Sequence, residues 1–269
     1  MEPMRISILS IIFMAVSAII SIGLPVAIFI FFRKKYKAGF LPMIIGAAAF
    51  ILFVLVLESS IHYFVFKQFS LQEKPLAYII YGIFMAGIFE ETARFISFNI
   101  LKKKHEGIKT GLSYGIGHGG IEAILLAGFA MISSIVFSIF INTGYIQTIT
   151  SGLQGEVLNK ITSAINELSQ TASYMFLVSG LERIFAICIQ LSLSVMVFYS
   201  VYRKGTIWLF PCAILLHAII DIPAAAYQAE ILGNILLVEG IVCLSAVMSV
   251  IIAVNVHKKL KESLTPQHE

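Results

Sequence analysis

Charged residues are scarce in this 269-residue sequence. Asp, Glu, Lys and Arg together make up 13% of the chain, whereas hydrophobic residues make up 58% of it. A soluble domain carries about a quarter charged residues, because its surface has to be covered with polar groups. The shortage of charge, together with a mean hydropathy of +0.92, excludes an ordinary soluble protein and predicts an integral membrane protein.

Cysteine is also rare, and the net charge of +4 is small. The three cysteines, Cys188, Cys212 and Cys243, all lie in apolar stretches and have neither a paired nor a metal-type spacing. We therefore interpret them as small buried hydrophobic residues and predict no disulfide framework. The basic residues cluster at the ends of apolar segments instead of forming one patch, so they indicate membrane topology and no nucleic-acid partner.

Long apolar runs dominate what is present. A helix needs roughly 20 mostly apolar residues to cross the hydrocarbon core of a bilayer. Seven stretches meet or approach this length, and the sixth is the shortest: 8–32, 39–66, 76–101, 111–141, 174–201, 206–223 and 232–256. The sequence therefore predicts an all-α, polytopic membrane protein with about seven spans, forming a single integral-membrane domain over residues 1–269.

Basic residues predict the orientation of these spans. Lys/Arg clusters lie at 33–37, 102–109, 202–205 and 257–261, whereas the alternate loops carry little charge or are slightly acidic. Under the positive-inside rule this alternation places the N-terminus outside and the C-terminus in the cytoplasm. The first apolar run is too long for a cleaved signal peptide, and its positive charge follows it, so we expect a retained first helix.

One connection is long and polar. Residues 142–173 are rich in Thr, Ser, Asn and Gln. Within this connection Val157, Ile161 and Ile165 recur at a spacing of four, which places them on one helical face. The pattern predicts an amphipathic helix lying on the membrane surface.

Ionisable side chains interrupt several spans. A charged residue at bilayer depth costs at least about 2.5–3.5 kcal/mol, so such residues tend to be paired or functional. The candidates are Glu58 and His62 in the second span, Glu90, Glu91 and Arg94 in the third, His118 and Glu122 in the fourth, Glu182 and Arg183 in the fifth, and His217 and Asp221 in the sixth.

Depth and facing select a core set from these candidates. At about 1.5 Å per residue, Glu91, Glu122 and His217 all lie roughly 15–16 Å from the cytoplasmic ends of their spans. A spacing of four gives each of three pairs a shared helix face: Glu90 with Arg94, His118 with Glu122, and His217 with Asp221. We therefore predict one polar cavity formed by the third, fourth and sixth spans. The residues of the second and fifth spans are expected to be structural or gating accessories.

Adjacent glutamates and local glycines refine this prediction. Glu90 and Glu91 lie about 100° apart around a helix, so they cannot share one role. The glycines in the "YGIGHGG" run at 114–120 permit either close helix approach or local unwinding. Pro223 is expected to end or kink the sixth span just after Asp221.

Two histidines and several carboxylates inside a membrane suit two hydrolytic mechanisms. In the first, a carboxylate is the general base for a water held by one histidine, while the second histidine donates to the developing oxyanion. In the second, His118 and His217 bind Zn²⁺ together with Glu122 or Asp221, and the metal activates the water. Neither histidine pair forms an HExxH motif, so the metal pattern is the weaker of the two.

Three ordered motifs resemble a known family. "EETAR" at 90–94, "YGIGH" at 114–118 and "HAIID" at 217–221 are similar to the YhfC-like family of intramembrane peptidases. That family is related to the type II CAAX-prenyl endopeptidases (the CPBP or Abi group) and to the PrsW-type proteases. The resemblance spans roughly the second to seventh helices. It implies a glutamic-type protease of the bacterial cell membrane that acts on membrane-associated proteins or peptides and requires no firmly assigned cofactor.

The resemblance also implies residue roles. Glu90 would be the general base, His118, preceded by the aromatic Tyr114, would hold the attacking water, and His217 would help to form the oxyanion hole. Glu91 and Arg94 would complete the first motif, with Glu122 as a further supporting residue.

The motifs depart from the endopeptidase pattern at two positions. Arg94 lies one residue closer to the glutamates than in the CAAX endopeptidases, and Asp221 stands where those enzymes usually carry Asn. An ionised Asp cannot donate to an oxyanion, so Asp221 is protonated, orients His217 or ligates a metal.

Two other functions remain open. Intramembrane Glu, His and Arg residues also mark the pathways of proton- or ion-coupled transporters. Such transporters are commonly built from inverted repeats with paired broken helices, and the sequence contains no recognisable repeat. A non-catalytic membrane protein, conferring immunity or scaffolding partners, would tolerate loss of the glutamates. The preferred interpretation is an intramembrane protease with a glutamate-activated water, and its zinc-dependent version is the first alternative.

Overall fold

The computed structural model describes residues 5–261, which form helices and connecting turns with no β-strand. Within this part of the chain, seven helical segments are long and apolar enough to cross a membrane: Ile8–Tyr36, Phe40–Phe69, Pro75–Leu101, Ile108–Asn142, Ser173–Tyr202, Leu209–Gln228 and Ile235–Leu260. The predicted all-α, seven-span fold class is confirmed. The predicted placement of the two termini stays a prediction.

Eleven α-helices make up the described chain: α1 (Ile8–Tyr36), α2 (Phe40–Phe50), α3 (Ser59–Phe69), α4 (Pro75–Leu101), α5 (Ile108–Glu122), α6 (Phe129–Asn142), α7 (Tyr145–Thr150), α8 (Gly155–Gln170), α9 (Ser173–Tyr202), α10 (Leu209–Gln228) and α11 (Ile235–Leu260). A short 3₁₀ turn, Leu71–Glu73, precedes α4. Helix α4 begins with Pro75. Proline suits the first helical position, because an N–H there would have no acceptor within the helix.

Two spans contain π-helical segments. Ile51–Glu58 joins α2 to α3, and Ala123–Gly128 joins α5 to α6. Each segment borders an acidic residue, because Glu58 ends the first and Glu122 directly precedes the second. Such π-helical turns are rare in proteins and are frequently found at functional sites.

The glycine-rich run forms regular helix. Of the two expectations for residues 114–120, local unwinding is wrong, because α5 continues through them to Glu122. Close helix approach is what the glycines provide: a side chain at Gly117 would collide with the carbonyl group of Met43, and one at Gly46 would collide with the backbone of Tyr114. Helices α2 and α5 therefore pack backbone to backbone.

The sixth span extends further than predicted. It was expected at 206–223, whereas α10 begins at Leu209 and continues through Pro223 to Gln228. Proline removes a single backbone hydrogen bond, and membrane helices tolerate it where neighbouring packing holds the helix. The turn after Pro223 is held in this way, because Ala226 packs in a buried cluster with Ile79 and Ile83 of α4.

The described chain forms two compact units. The first unit comprises residues 5–24 and 123–184, and its core contains Met14, Ile141 and Phe176. Helix α8 occupies the middle of the polar connection and packs on this core through Ile161 and Ile165, whereas Val157 is exposed.

The second unit comprises residues 25–122 and 185–261. Its core is built on the C-terminal half of α9, where Leu193, Phe198 and Tyr199 are fully buried. Helix α2 packs extensively on α5, and α4 packs extensively on α10. The second contact is close because Gly87 has no side chain to meet the Ile214 carbonyl, 2.9 Å from where a Cβ would lie. This contact brings the first motif beside the third.

Candidate active site

Three charged residues of α4 are buried in the second unit. Arg94 and Glu91 have no solvent exposure, and Glu90 is 7% exposed. Isolated charges at such depth are unfavourable, so each needs a partner.

Glu90 makes contacts that differ between its two carboxylate oxygens. Its Oε2 accepts hydrogen bonds from His118 Nε2 (3.0 Å), Gln190 Nε2 (3.0 Å) and Arg94 Nη2 (3.4 Å). Its Oε1 accepts none from the described residues and faces His217 Nε2 at 3.9 Å. One oxygen is therefore held by three donors, while the other is directed at the histidine of the third motif.

Glu91 serves other partners, as expected for a residue on a different helix face. Its Oε1 accepts hydrogen bonds from Arg94 Nη1 (2.6 Å) and from His217 Nδ1 (2.7 Å). Its Oε2 is buried without a partner among the described residues. Because a carboxylate accepts from Nδ1–H, Glu91 orients the His217 ring and directs Nε2 toward Glu90.

His118 is fully buried, and aromatic rings restrict its orientation. The Tyr114 ring stacks beside it with centroids 5.8 Å apart, and the Phe50 ring meets it edge-on at 5.2 Å. Its Nε2 contacts Glu90, and its Nδ1 is buried with no partner in the described chain. Tyr114, the supporting residue that precedes His118 in the second motif, therefore contacts it through its ring.

Asp221 lies at the open side of the cluster. Its Oδ2 is 3.5 Å from His217 Nε2, and its side chain is 34% exposed, against 4% for His217. Of the three roles expected for Asp221, this position is most consistent with orienting His217.

The sequence-based prediction missed one residue of the cluster. Gln190 of α9 is buried, and its Nε2 donates to Glu90 Oε2 and, at 2.6 Å, to Glu122 Oε2, while its Oε1 accepts from Arg94. Glu122 thus joins the site through Gln190. The available signal was a single amide side chain in the apolar run "AICIQLSLSV" of the fifth span.

The accessory candidates have different partners. Glu58 is buried, pairs with His62 Nε2 at 3.2 Å and lies within electrostatic range of Glu90, His217 and Asp221. His62 Nδ1 in turn contacts the Tyr81 hydroxyl at 2.9 Å. Glu182 and Arg183 instead belong to the first unit, where they pair with each other.

The donor types of the cluster suit zinc, but their arrangement does not. Imidazole and carboxylate are common zinc ligands. Among residues 5–261, however, no group of three or more His, Cys, Asp or Glu side chains is placed to hold a metal ion. Glu90 Oε2 is also shared with the Arg94 guanidinium, a cation that repels a metal ion at the same oxygen.

The fold and the cluster define a polytopic membrane protein with a buried carboxylate–histidine site. Residues 20–242 match the family described as YhfC intramembrane metalloprotease, and the chain belongs to this family. It is also 37% identical over 245 residues to the uncharacterized membrane protein YhfC of Bacillus subtilis (strain 168). The aligned residues cover 90% of this chain and 94% of that protein. The expected relationship to YhfC-like proteins is therefore confirmed. No solved structure matches the chain.

Proposed function

We propose that this protein is an intramembrane protease that hydrolyses peptide bonds of membrane-associated proteins or peptides, with Glu90 as the general base. The observation that supports this most directly is the unequal use of the two Glu90 oxygens. Three donors hold Oε2, whereas Oε1 has no donor among the described residues and faces His217 Nε2 at 3.9 Å. A base of this kind is oriented by one oxygen and accepts a proton at the other.

The first step is attack by water. Glu90 Oε1 takes a proton from the water while the water oxygen forms a bond to the carbonyl carbon of the substrate. The carbonyl π-electron pair moves onto the carbonyl oxygen, which becomes an oxyanion.

His217 is the donor for this oxyanion. Its Nδ1–H donates to Glu91, so Nε2 carries a second proton only when the ring is an imidazolium. Carboxylate oxygens of Glu91, Asp221 and Glu90 lie within 4 Å of the ring nitrogens at 2.7, 3.5 and 3.9 Å, and they stabilise this form. Donors directed at an oxyanion in a water-poor site contribute strongly to catalysis.

Collapse of the tetrahedral intermediate completes the reaction. The oxyanion reforms the carbonyl group, the C–N bond breaks, and the leaving nitrogen takes the proton from Glu90. Glu90 returns to its ionised form, and the products are a carboxyl group and an amine. In this sequence His118 orients Glu90, because its Nε2 contacts the Glu90 carboxylate directly. The resemblance to the peptidase family implies a water-holding role for His118, which stays a prediction.

The zinc-dependent version is the second candidate, because the matching family is described as a metalloprotease. His118 and His217 with a carboxylate are the residues that would be required, and their donor types suit zinc. The positions of the described side chains do not favour this version, because they form no three-residue group for an ion.

Comparison of membrane proteomes tests the proposal. Membranes containing the wild-type protein, Glu90→Gln or Glu182→Gln at matched expression would be incubated, and newly formed peptide termini would be identified by mass spectrometry. Glu182→Gln is the matched control, because it removes a carboxylate of another span, one that pairs with the neighbouring Arg183. We expect the same new termini with the wild type and the control, and their loss with Glu90→Gln. Unchanged termini with Glu90→Gln would contradict the role of Glu90 as general base, and an absence of new termini with the wild type would contradict the protease proposal and favour a transporter or scaffold.

A further inference from the structure

Gln190 is a buried polar side chain that donates to the proposed base but belongs to none of the three sequence motifs. It is 5% exposed and lies on α9, outside the three helices that carry the recognised motifs. Its amide group nevertheless contacts three charged residues, Glu90 and Arg94 of α4 and Glu122 of α5. The Gln190 amide therefore connects α9 to two neighbouring helices, α4 and α5.

Arg94 determines which way the amide points. A guanidinium only donates, so the amide atom that contacts Arg94 Nη2 is the oxygen, Oε1. The Gln190 NH₂ group then faces the two carboxylates and donates at 3.0 Å to Glu90 and 2.6 Å to Glu122. Each donor in this group has an acceptor, and the arrangement has a single orientation.

A second residue of α9 supports the same arrangement one helical turn later. Arg94 Nε donates to Ser194 Oγ at 3.3 Å, and Ser194 Oγ donates to the Gln190 backbone carbonyl at 2.7 Å. Gln190 and Ser194 are four residues apart and share a helix face. Helix α9 therefore holds both the Nε and the Nη2 side of the Arg94 guanidinium.

Glycines of α5 make room for these two side chains. A Cβ at Gly119 would lie 2.7 Å from the Cβ of Gln190, and one at Gly115 would lie 2.9 Å from Ser194 Oγ. Both distances are shorter than atoms tolerate. The glycines on either side of His118 thus allow α9 to approach closely enough for Gln190 to reach Glu90.

We propose that Gln190 is a positioning residue for the general base: with Arg94 and His118 it holds Glu90 Oε2, so that Oε1 is the oxygen that accepts the proton. The active site is then built from four helices, α4, α5, α9 and α10. This inference rests on the proposed protease function and assigns the fifth span a part in it.

The uncharged nature of Gln190 matters at this position. Glu90 is surrounded by ionisable groups from every helix packed on it: Arg94 on α4, His118 and Glu122 on α5, His217 and Asp221 on α10, and Glu58 at the end of the second-span π segment. An amide donates irrespective of pH, so it holds Glu90 Oε2 while neighbouring histidines gain or lose protons.

Kinetics of two variants test the inference. Gln190→Met removes the amide but keeps an unbranched chain of similar length, and Gly119→Ala pushes Gln190 from the α5 side. The control is Ser192→Ala, because Ser192 is buried on the same helix and its hydroxyl donates to the Cys188 carbonyl at 2.7 Å, away from the cluster. The probe is a fluorogenic membrane-inserted peptide carrying a cleavage sequence recovered from wild-type membranes.

We expect both test variants to lower kcat by about 10²-fold with little change in KM, as for a misplaced catalytic group. The acid limb of the pH–rate profile should also move to higher pH with Gln190→Met, because a carboxylate that loses a donated hydrogen bond is protonated more readily. Ser192→Ala should change neither quantity. A loss of folded protein alone would lower kcat without moving the pH profile, and thermal unfolding of each variant measures that loss directly.

The two proposals fail in different ways. If Glu90→Gln abolishes cleavage but folded Gln190→Met and Gly119→Ala keep the wild-type kcat and pH profile, the role of Gln190 is wrong and the protease proposal stands. If Glu90→Gln keeps full activity, Glu90 is not the general base and the proposed mechanism is wrong; if wild-type membranes yield no new termini, the protease proposal itself is wrong. If Gln190→Met does not fold, Gly119→Ala decides the outcome, because it retains the amide and only displaces it.

Discussion

His118 Nε2 and Glu90 Oε2 lie 3.0 Å apart, although their residues are 28 positions apart and come from two different membrane spans. Helices α2 and α5 pack backbone to backbone beside this contact, because Gly46 and Gly117 leave space for the Tyr114 and Met43 carbonyl groups. Tyr114 and Phe50 then restrict the His118 ring. The carboxylate–histidine pair is therefore assembled by the packing of the fold, and changes in that packing should reach the site.

Substitution at Gly117 should separate α2 from α5. A Cβ at this position would overlap the Met43 carbonyl, which is backbone and cannot rotate away. We expect Gly117→Ala to destabilise the protein by several °C in its thermal midpoint, measured in detergent. Gly82→Ala is the control, because its Cβ would meet nothing within 4 Å, and alanine in a helix interior is favourable. Equal midpoints for the two variants would contradict the packing argument.

Removal of Arg94 should be strongly destabilising. The Arg94 side chain is fully buried and donates to both Glu91 and Glu90, so Arg94→Met would leave buried carboxylates uncompensated. Breaking a buried ion pair from one side costs about 3–5 kcal/mol in the free energy of unfolding. Lys160→Met is the control, because it removes an ion pair with Glu156 between two exposed side chains. It should not measurably change the free energy of unfolding. Denaturant unfolding in mild detergent compares the two variants.

The identity of the water activator can be decided by metal content. With Glu90 as base, Glu90→Gln keeps the shape of the side chain but removes proton abstraction, so turnover should fall by about 10²–10⁴-fold while the protein stays folded. Chelators should then have little effect. Near-stoichiometric zinc in the purified protein, with activity lost to chelation and restored by metal, would overturn the glutamic mechanism and leave hydrolysis in place.

Among the ionisable residues of the spans, we expect Glu90 and His118 to matter more for turnover than Glu58 and Glu182. Glu90 and His118 contact each other directly, whereas Glu58 pairs with His62 and Glu182 pairs with Arg183. Single alanine replacements, assayed for cleavage of a common substrate, give the ranking. Loss of turnover in Glu182→Ala with retention in Glu90→Ala would show that the site assignment is wrong.

Membrane orientation is testable independently of activity. Reporter fusions at Lys104 and Lys258 should report the cytoplasm, because both lie in basic clusters, and a fusion at Thr148 should report the outside. Lys104 and Thr148 flank one span, so they are matched reporters for opposite sides. The reverse pattern would invalidate the depth estimates, which were counted from the basic ends of the spans.

The sequence by itself determined the fold class and two parts of the site. Runs of about 20 apolar residues predict spans, because a helix satisfies its own backbone hydrogen bonds in lipid whatever surrounds it. Glu90 with Arg94, and His217 with Asp221, share helix faces because a spacing of four is a local property. These features depend on the chain within one helix, so a linear pattern is sufficient to find them.

Only the tertiary structure decided which neighbours those faces meet. It directed Glu90 to His118 and Glu91 to His217, and it brought Gln190 of α9 to both Glu90 and Glu122. Tertiary packing also allowed α10 to continue through Pro223 to Gln228. Each outcome depends on packing between residues far apart in the chain, where glycine positions control how closely two helices approach, and helical periodicity alone contains no information about the partner.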